Sequence, residues 1–267
     1  MNTSEFFENL WHDYIKITPQ AEKVRQLFLS LGDDVVNDHV AFRTFSDSPV
    51  SLSKLETELE KMGYVAYENY RFEQKKLDAR SYCHPTDENA PKIFLSELQV
   101  GELCEQARAI ISGMIAQISP DAVKDPSIFW QGRLWDMPTR QDYATLLQES
   151  EYAAWLSTIG LRVNHFTVSV NRLSSLDDLQ AVNQLLKDKG FAINTVGSEI
   201  KGSPELFLEQ SSTMADKIEV EFKDGEKCTI PSCFYEFAKR HKTDSGELFP
   251  GFIEGNADKI FESTHAR

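Results

Sequence analysis

The sequence predicts an α+β fold of two tandem βαβββ modules with bracing helices, and two observations carry that prediction. A strand-like stretch, an amphipathic helix and a set of shorter strand-like pieces occur twice in the same order. In the first copy residues 38–45 precede SLSKLETELEKMGY (51–64); in the second, residues 163–170 precede LDDLQAVNQLLKDKGF (176–191). The spacing also repeats: His39 lies 24 residues before the helix-stopping Gly63, and His165 lies 25 before Gly190, as in a duplicated supersecondary unit.

Residues 1–32 read as two helices broken at Pro19. Ser4 can cap the first, whose face carries Phe7, Leu10, Trp11 and Tyr14, and Thr18 with Pro19 opens the second, which carries Val24, Leu27, Phe28 and Leu31. The first module, 33–100, continues after its helix (Leu52, Leu55, Leu59, Met62) into strand-like pieces at 64–70, 79–83 and 93–98. A connecting region, 101–160, holds an apolar-periodic helix over 102–118 and a loop from Pro120 to Pro138. A further helix is opened there by the capping pair Thr139 and Asp142. The second module, 161–240, has its helix on Leu176, Leu179, Val182 and Leu186. Strand-like pieces follow at 191–195, 206–210, 218–222 and 229–239, with Asp224-Gly225 as a tight hairpin turn. A C-terminal segment, 241–267, completes the chain.

Composition narrows the function. With 28 Lys+Arg against 42 Asp+Glu the formal charge is −14, which removes the phosphate attraction behind nucleic-acid binding and any affinity for an anionic membrane. Hydrophobic residues at 41% and charged ones at 26% fit a globular protein rather than a disordered one. No apolar run approaches the roughly 20 residues of a membrane span, and the start MNTSEFFENLWHDY lacks a basic stretch before an apolar one, so the cytoplasm is the expected location. Cys83, Cys104, Cys228 and Cys233 form no CxxC pair and read as reduced thiols.

No two of the six histidines lie three to five residues apart, so a metal site must be assembled from distant segments. Alternation along a strand supplies such an assembly. His39, Ala41 and Arg43 share one face of the first strand, opposite Val40, Phe42 and Thr44. His165, Thr167 and Ser169 share one face of its counterpart, opposite Phe166, Val168 and Val170. Each histidine thus lies on the more polar face, and the repeat brings both to equivalent places in one cavity. Two imidazoles and one carboxylate leave three octahedral positions for substrate and oxygen or water, a set suited to Fe(II) or a related divalent ion. Glu236, between aromatics in FYEFA, is the first candidate for the acid. Glu219 and Glu221 compete, although Lys217 and Lys223 beside them suit a solvated ladder, and Glu97 could be a fourth ligand or hydrogen-bond acceptor. Arg43 could grip a substrate carboxylate with its planar fork or pair with one of the surplus acids. His12, His241 and His265 are expected to face solvent, and His84, before Pro85, to lie in a loop.

Paired βαβββ modules with ligands on their first and last strands resemble the vicinal oxygen chelate superfamily, which includes glyoxalase I and extradiol dioxygenases. More closely, NDHVAFRTF (37–45), PKIFLSEL (91–98), ESEYAAWLSTIGLRVNHFTVSVN (149–171), LEQSSTMAD (208–216), IPSCFYEFAKR (230–240) and GFIEGNADKIFEST (251–264) are similar to the family of 2-oxoadipate dioxygenase/decarboxylase activity. The resemblance implies a cupped mixed sheet around a metal site, and Fe(II) held by His39, His165 and Glu236. It implies that Arg43 binds the substrate carboxylate, and that 2-oxoadipate and dioxygen become 2-hydroxyglutarate and CO2. Two other readings stand beside it: a zinc or nickel isomerase or hydrolase with Glu97 as base, and a binding protein without turnover. The two modules would share one site and act as a single functional unit over 1–267; the oligomeric state is not legible.

Overall fold

The computed structural model describes residues 1–264, so His265 lies outside it. Eight strands form one sheet that curls into a half-barrel. The first half of the sheet holds β1 (Asn37–Phe45), β2 (Val65–Phe72), β3 (Leu77–Cys83) and β4 (Lys92–Leu98). The second holds β5 (Val163–Ser169), β6 (Lys201–Ser203), β7 (Leu208–Ser212) and β10 (Phe234–Arg240), with a separate hairpin of β8 (Lys217–Glu221) and β9 (Lys227–Pro231) inserted before β10. The order is β2-β3-β4-β1-β5-β10-β7-β6. β1 runs parallel to β4 and β5 parallel to β10, and β1 meets β5 antiparallel at the centre. The remaining neighbours are antiparallel. The two halves therefore share one internal topology, as their spacing predicts.

Helices cover the outer face. Val40, Phe42, Phe166 and Val168 are buried there, with Phe166 against Trp11 and Tyr14 of α1 (Thr3–Ile17) at 5.1 Å each and Phe42 against Phe129 at 4.8 Å. α2 (Pro19–Ser30), α3 (Leu52–Lys61) and α7 (Leu179–Asp188) add amphipathic faces. α4 (Glu105–Ile115), α5 (Arg140–Glu149) and α6 (Glu151–Ile159) form the connector. From α6, the Tyr152 hydroxyl accepts from the Thr44 amide (3.0 Å) and donates to the Ser96 carbonyl (2.7 Å), satisfying backbone groups where the β1–β5 ladder has ended. With apolar side chains taken up outside, the polar faces of β1 and β5 turn inward, where α8 (Glu254–Ile260) and residues 261–264 cover them.

Several boundaries differ from expectation for local reasons. Asn2, not Ser4, caps α1 by accepting from the Glu5 amide (2.9 Å). α4 starts only at Glu105 because residues 100–102 form a 3-10 turn. The Thr139/Asp142 capping box forms as expected, but its helix ends at Glu149, where Ser150 caps α6. Residues 191–195 contribute a single bridge, Ile193 to Thr213, instead of a strand. The piece at 218–222 belongs to the separate hairpin, turned at Gly225, and the piece at 229–239 divides at Pro231 into β9 and β10.

Gly160 links α6 to the site-bearing β5. Its φ of 77° and ψ of −159° lie in a region open essentially to glycine, and a Cβ there would sit 2.3 Å from the Gly132 carbonyl carbon and the Arg133 nitrogen. Gly190, at φ 86°, has open space around it. Gly190→Ala should cost about 1–2 kcal/mol from backbone conformation alone, and Gly160→Ala about 1–3 kcal/mol more from overlap, read by urea unfolding. Equal costs would contradict the close packing at Gly160.

Candidate metal centre

The register across three strands builds the site. His39 on β1 lies opposite Thr167 on β5, and Thr167 lies beside Glu236 on β10; His165, two residues before Thr167, sits between Ala41 and Phe234. Small side chains at Ala41 and Thr167 let the larger groups converge. A ligand atom from each of His39, His165 and Glu236 lies within 4.8 Å of the others, the one such group of three metal-ligating side chains found among the described residues. The Glu236 carboxylate approaches His165 Nε2 at 3.1 Å and His39 Nε2 at 3.6 Å.

Both imidazoles are aimed by the residue before them. The β1–β5 ladder has two bulges: β1 carries an extra residue at Asp38, and β5 carries one at Asn164. A bulge breaks alternation and re-aims a side chain, and each Asx turns back onto its own histidine. Asp38 Oδ1 is 2.7 Å from His39 Nδ1 and Asn164 Oδ1 is 3.1 Å from His165 Nδ1. With Nδ1 of each ring held by its Asx, Nε2 turns toward the centre, where the Thr167 hydroxyl lies 3.0 Å from His39 Nε2; a metal bound at Nε2 requires the tautomer with the proton on Nδ1.

Burial, with His39 and Arg43 nearby, holds His165 well below the ordinary imidazole range, so its ring is neutral. Burial also raises Glu236, against the pull of His39 and of the Gln210 amide that donates to Oε1 at 2.7 Å. Glu236 Oε2 has no hydrogen-bond donor. It faces an imidazole lone pair, acceptor against acceptor, and a cation between them would remove the conflict. The donor set therefore fits a divalent metal ion.

The C-terminal segment closes the centre. Phe252, Ala257, Ile260 and Phe261 line it together with Phe94, leaving a cavity of about 20 Å³. Phe252 meets the His39 ring edge-on at 4.8 Å, and Asn256 donates to Gln210 at 3.1 Å. Behind His39, Arg240 grips Asp38 with two bonds of 2.8 Å, and this pair with His39 holds the Asp38 carboxyl well below the usual carboxylate range against the effect of burial.

Arg43 stands two pleats along β1 from His39, about 13 Å between Cα atoms. It is buried among Trp155 (4.8 Å), Tyr152 (5.0 Å) and Phe261 (5.6 Å). Among the described residues its one acceptor is Thr264 Oγ1 at 3.3 Å, and Nε and Nη1 have none. The ion pair with a surplus acid, one of its two expected roles, does not form among the described residues. Burial lowers it to about 10, so it keeps its charge at neutral pH. Beside it opens a cavity of about 200 Å³ that Phe261 also lines.

The rival acids lie elsewhere. Glu97 faces the helix side of β4 and accepts from the Leu52 amide at 2.8 Å, so it caps α3 and is neither a ligand nor a base at the centre. Glu219 and Glu221 lie on the exposed β8–β9 hairpin beside Lys227. His12 is exposed and His84 lies in a loop against Tyr64, while His241 is only partly exposed and pairs with Glu209 at 2.8 Å. All four cysteines are free thiols. Asp38, Asn164, Gln210 and Arg240 escaped the sequence reading. The signal for the first two was an Asx directly before each repeated histidine.

Comparison with known proteins gives concordant matches. The family model for 2-oxoadipate dioxygenase/decarboxylase matches residues 11–127 and 121–248. A rice (Oryza sativa subsp. japonica) protein named 2-oxoadipate dioxygenase/decarboxylase, chloroplastic/amyloplastic, is 36% identical over 96% of this chain and 77% of its own. The crystal structure of rice hydroxyglutarate synthase in complex with 2-oxoadipate superposes with a TM-score of 0.91 at 34% identity, covering 98% of this chain and 91% of that one. A Shewanella frigidimarina NCIMB 400 structure, described only as a candidate hydrolase, is 47% identical with a TM-score of 0.89, covering 94% and 98%.

Two outcomes follow from the geometry. Glu97→Ala should leave metal content unchanged and cost about 0.5–2 kcal/mol of stability as a lost cap; loss of metal would return Glu97 to the site. Because folded His165 sits below its unfolded value near 6.5, its contribution to stability is present above pH 6.5 and is lost as pH falls from there. The metal-free protein should lose up to about 1.4 kcal/mol per pH unit on this account, and His165→Gln should flatten that slope in urea titrations at pH 5 to 7. An unchanged slope would contradict a buried neutral ring.

Proposed function

The chain belongs to the 2-oxoadipate dioxygenase/decarboxylase family, and from that premise we propose that it converts 2-oxoadipate and dioxygen to 2-hydroxyglutarate and CO2 at an Fe(II) centre held by His39, His165 and Glu236. The observation that carries the proposal is the buried convergence of two imidazoles on one carboxylate, with His165 Nε2 3.1 Å from Oε2, which has no donor, and His39 Nε2 3.6 Å from Oε1. Bound there, Fe(II) would supply the one-electron chemistry that lets dioxygen react with an organic acid, and would polarise the 2-oxo group.

The atoms balance without another reductant. The C1–C2 bond of the oxo acid breaks and C1 leaves as CO2. One oxygen atom joins C2, which becomes the new carboxylate, and the other enters the C3–H bond, which becomes the alcohol of 2-hydroxyglutarate. The chain's own residues bind and orient. Arg43 meets the carboxylate remote from the oxo group with Nε and Nη1, which have no acceptor among the described residues, between the rings of Tyr152 and Trp155. A six-carbon acid cannot occupy about 20 Å³, so the C-terminal segment must shift for substrate to enter. Phe261, shared by the two cavities, is the partition whose displacement would join them. An oxygen-independent isomerase or hydrolase loses its expected base, because the Glu97 carboxylate is engaged at α3.

The test is anaerobic Fe(II) loading followed by an oxygen-electrode screen of 2-oxo acids of four to seven carbons. Uptake matched one to one by CO2, fastest with 2-oxoadipate, and two labelled atoms in the product from ¹⁸O₂ are expected; no uptake with any acid, or turnover without oxygen, would refute the reading. Arg43→Lys should lower kcat/KM about 10- to 100-fold, the worth of a charge-assisted hydrogen bond or two, with metal content unchanged. Equal loss of both would remove its role as substrate grip.

A further inference from the structure

Arg240 lies four residues after Glu236 on β10, outside the three candidate ligands and the substrate grip. Its guanidinium divides between two structures. Nε and Nη2 hold the Asp38 carboxylate at 2.8 Å each, and Asp38 holds His39 Nδ1 at 2.7 Å. Nη1 donates to the carbonyls of Phe249 (2.8 Å) and Gly251 (2.7 Å) in the C-terminal segment. Its face lies 5.2 Å from the ring of Phe252, which itself packs on the His39 ring. All of these groups are buried or nearly so: Arg240 is 3% exposed and His39 2%.

We propose that Arg240 is a positioning residue that couples closure of the C-terminal segment to the aim of His39, so that metal binding and closure favour each other. The inference rests on the metal-centre reading. A planar fork with three nitrogens committed to two partners has little freedom to rotate. When residues 249–252 are docked, Arg240 is fixed, Asp38 is fixed by it, and Nε2 of His39 is held toward Glu236 and His165. When the segment lifts to admit substrate, Nη1 loses both carbonyls, Phe252 leaves the His39 ring, and the support behind the ligand loosens. Linkage makes the effect reciprocal: a metal that needs the aimed ring must hold the segment shut. Asn164, the counterpart behind His165, is an uncharged amide whose Nδ2 has no partner among the described residues, an arginine included, so the coupling runs through the first module's histidine.

The experiment uses the full chain, with Co(II) added under anaerobic conditions as the metal probe. Affinity is read from the Co(II) absorption bands, and amide hydrogen exchange is followed over residues 249–256 with and without metal. In the parent protein Co(II) should slow exchange there at least tenfold. Arg240→Lys keeps the charge but cannot serve both partners. It should bind Co(II) 10- to 100-fold more weakly, the usual effect of losing a group behind a ligand, and metal should no longer change exchange in the segment. Asp38→Asn is nearly isosteric and leaves the two carbonyl bonds in place. It should keep the metal-free segment as protected as in the parent while removing the further slowing by metal, and it tests the same link if Arg240→Lys does not fold. Persistence of metal-dependent slowing in either folded variant overturns the coupling, whatever its affinity. Failure of the underlying reading looks different: His39→Ala and His165→Ala would then bind Co(II) as the parent does.

Discussion

A carboxylate oxygen without a donor, set against an imidazole nitrogen inside a buried cavity, is an arrangement a fold does not keep for its own stability. Glu236 has 0% exposure, one donor on Oε1 and none on Oε2, and His165 Nε2 stands 3.1 Å from it. A cation at this point would convert a repulsion among acceptors into a set of bonds, and the surroundings are organised to keep those acceptors together. The bulges at Asp38 and Asn164 turn each histidine's Nδ1 away from the centre, and the outer helices take the apolar faces of β1 and β5 so that the polar faces turn inward.

The duplication explains how so demanding a geometry is met. Each module alone supplies one histidine on its first strand, and neither could hold a metal with it. Pairing β1 with β5 brings the two histidines to adjacent rows, and the parallel pairing of β10 with β5 sets Glu236 beside Thr167 and across from His39. The site is a product of strand register, so it stands on rigid sheet instead of loops. The C-terminal segment reaches the centre through Phe252, Asn256 and Phe261, and on the proposed reading it is the part that would move to admit substrate. Net charge has little to do with this local chemistry. In a chain of formal charge −14, the proposed dicarboxylate substrate would meet positive charge only where it is concentrated locally, at a metal and at Arg43.

Much of the architecture was legible because strand alternation and helix spacing are local signals that the repeat shows twice. The two histidines and Arg43 could be placed on one face by counting in twos. The choice among Glu97, Glu219, Glu221 and Glu236 could not be made that way, because it depends on which strands pair. The β8–β9 insertion hides that β10 pairs with β5, and counting from β1 cannot reveal that Glu97 sits on the opposite face of β4. Asp38 was hidden by the same counting rule that found His39, since alternation sends neighbours to opposite faces and only the bulge reverses it. Arg240 and Gln210 became visible only through contacts with residues far away in the chain, 202 positions for Arg240 with Asp38 and 26 for Gln210 with Glu236.

The central claim is that two modules and one acid hold a single iron. An anomalous difference map collected at the iron edge from crystals loaded anaerobically with Fe(II) tests it most directly. The account predicts one strong peak bonded to Nε2 of His39, Nε2 of His165 and a carboxylate oxygen of Glu236. A peak at any other cluster, or none at this one in a fully loaded protein, would contradict it.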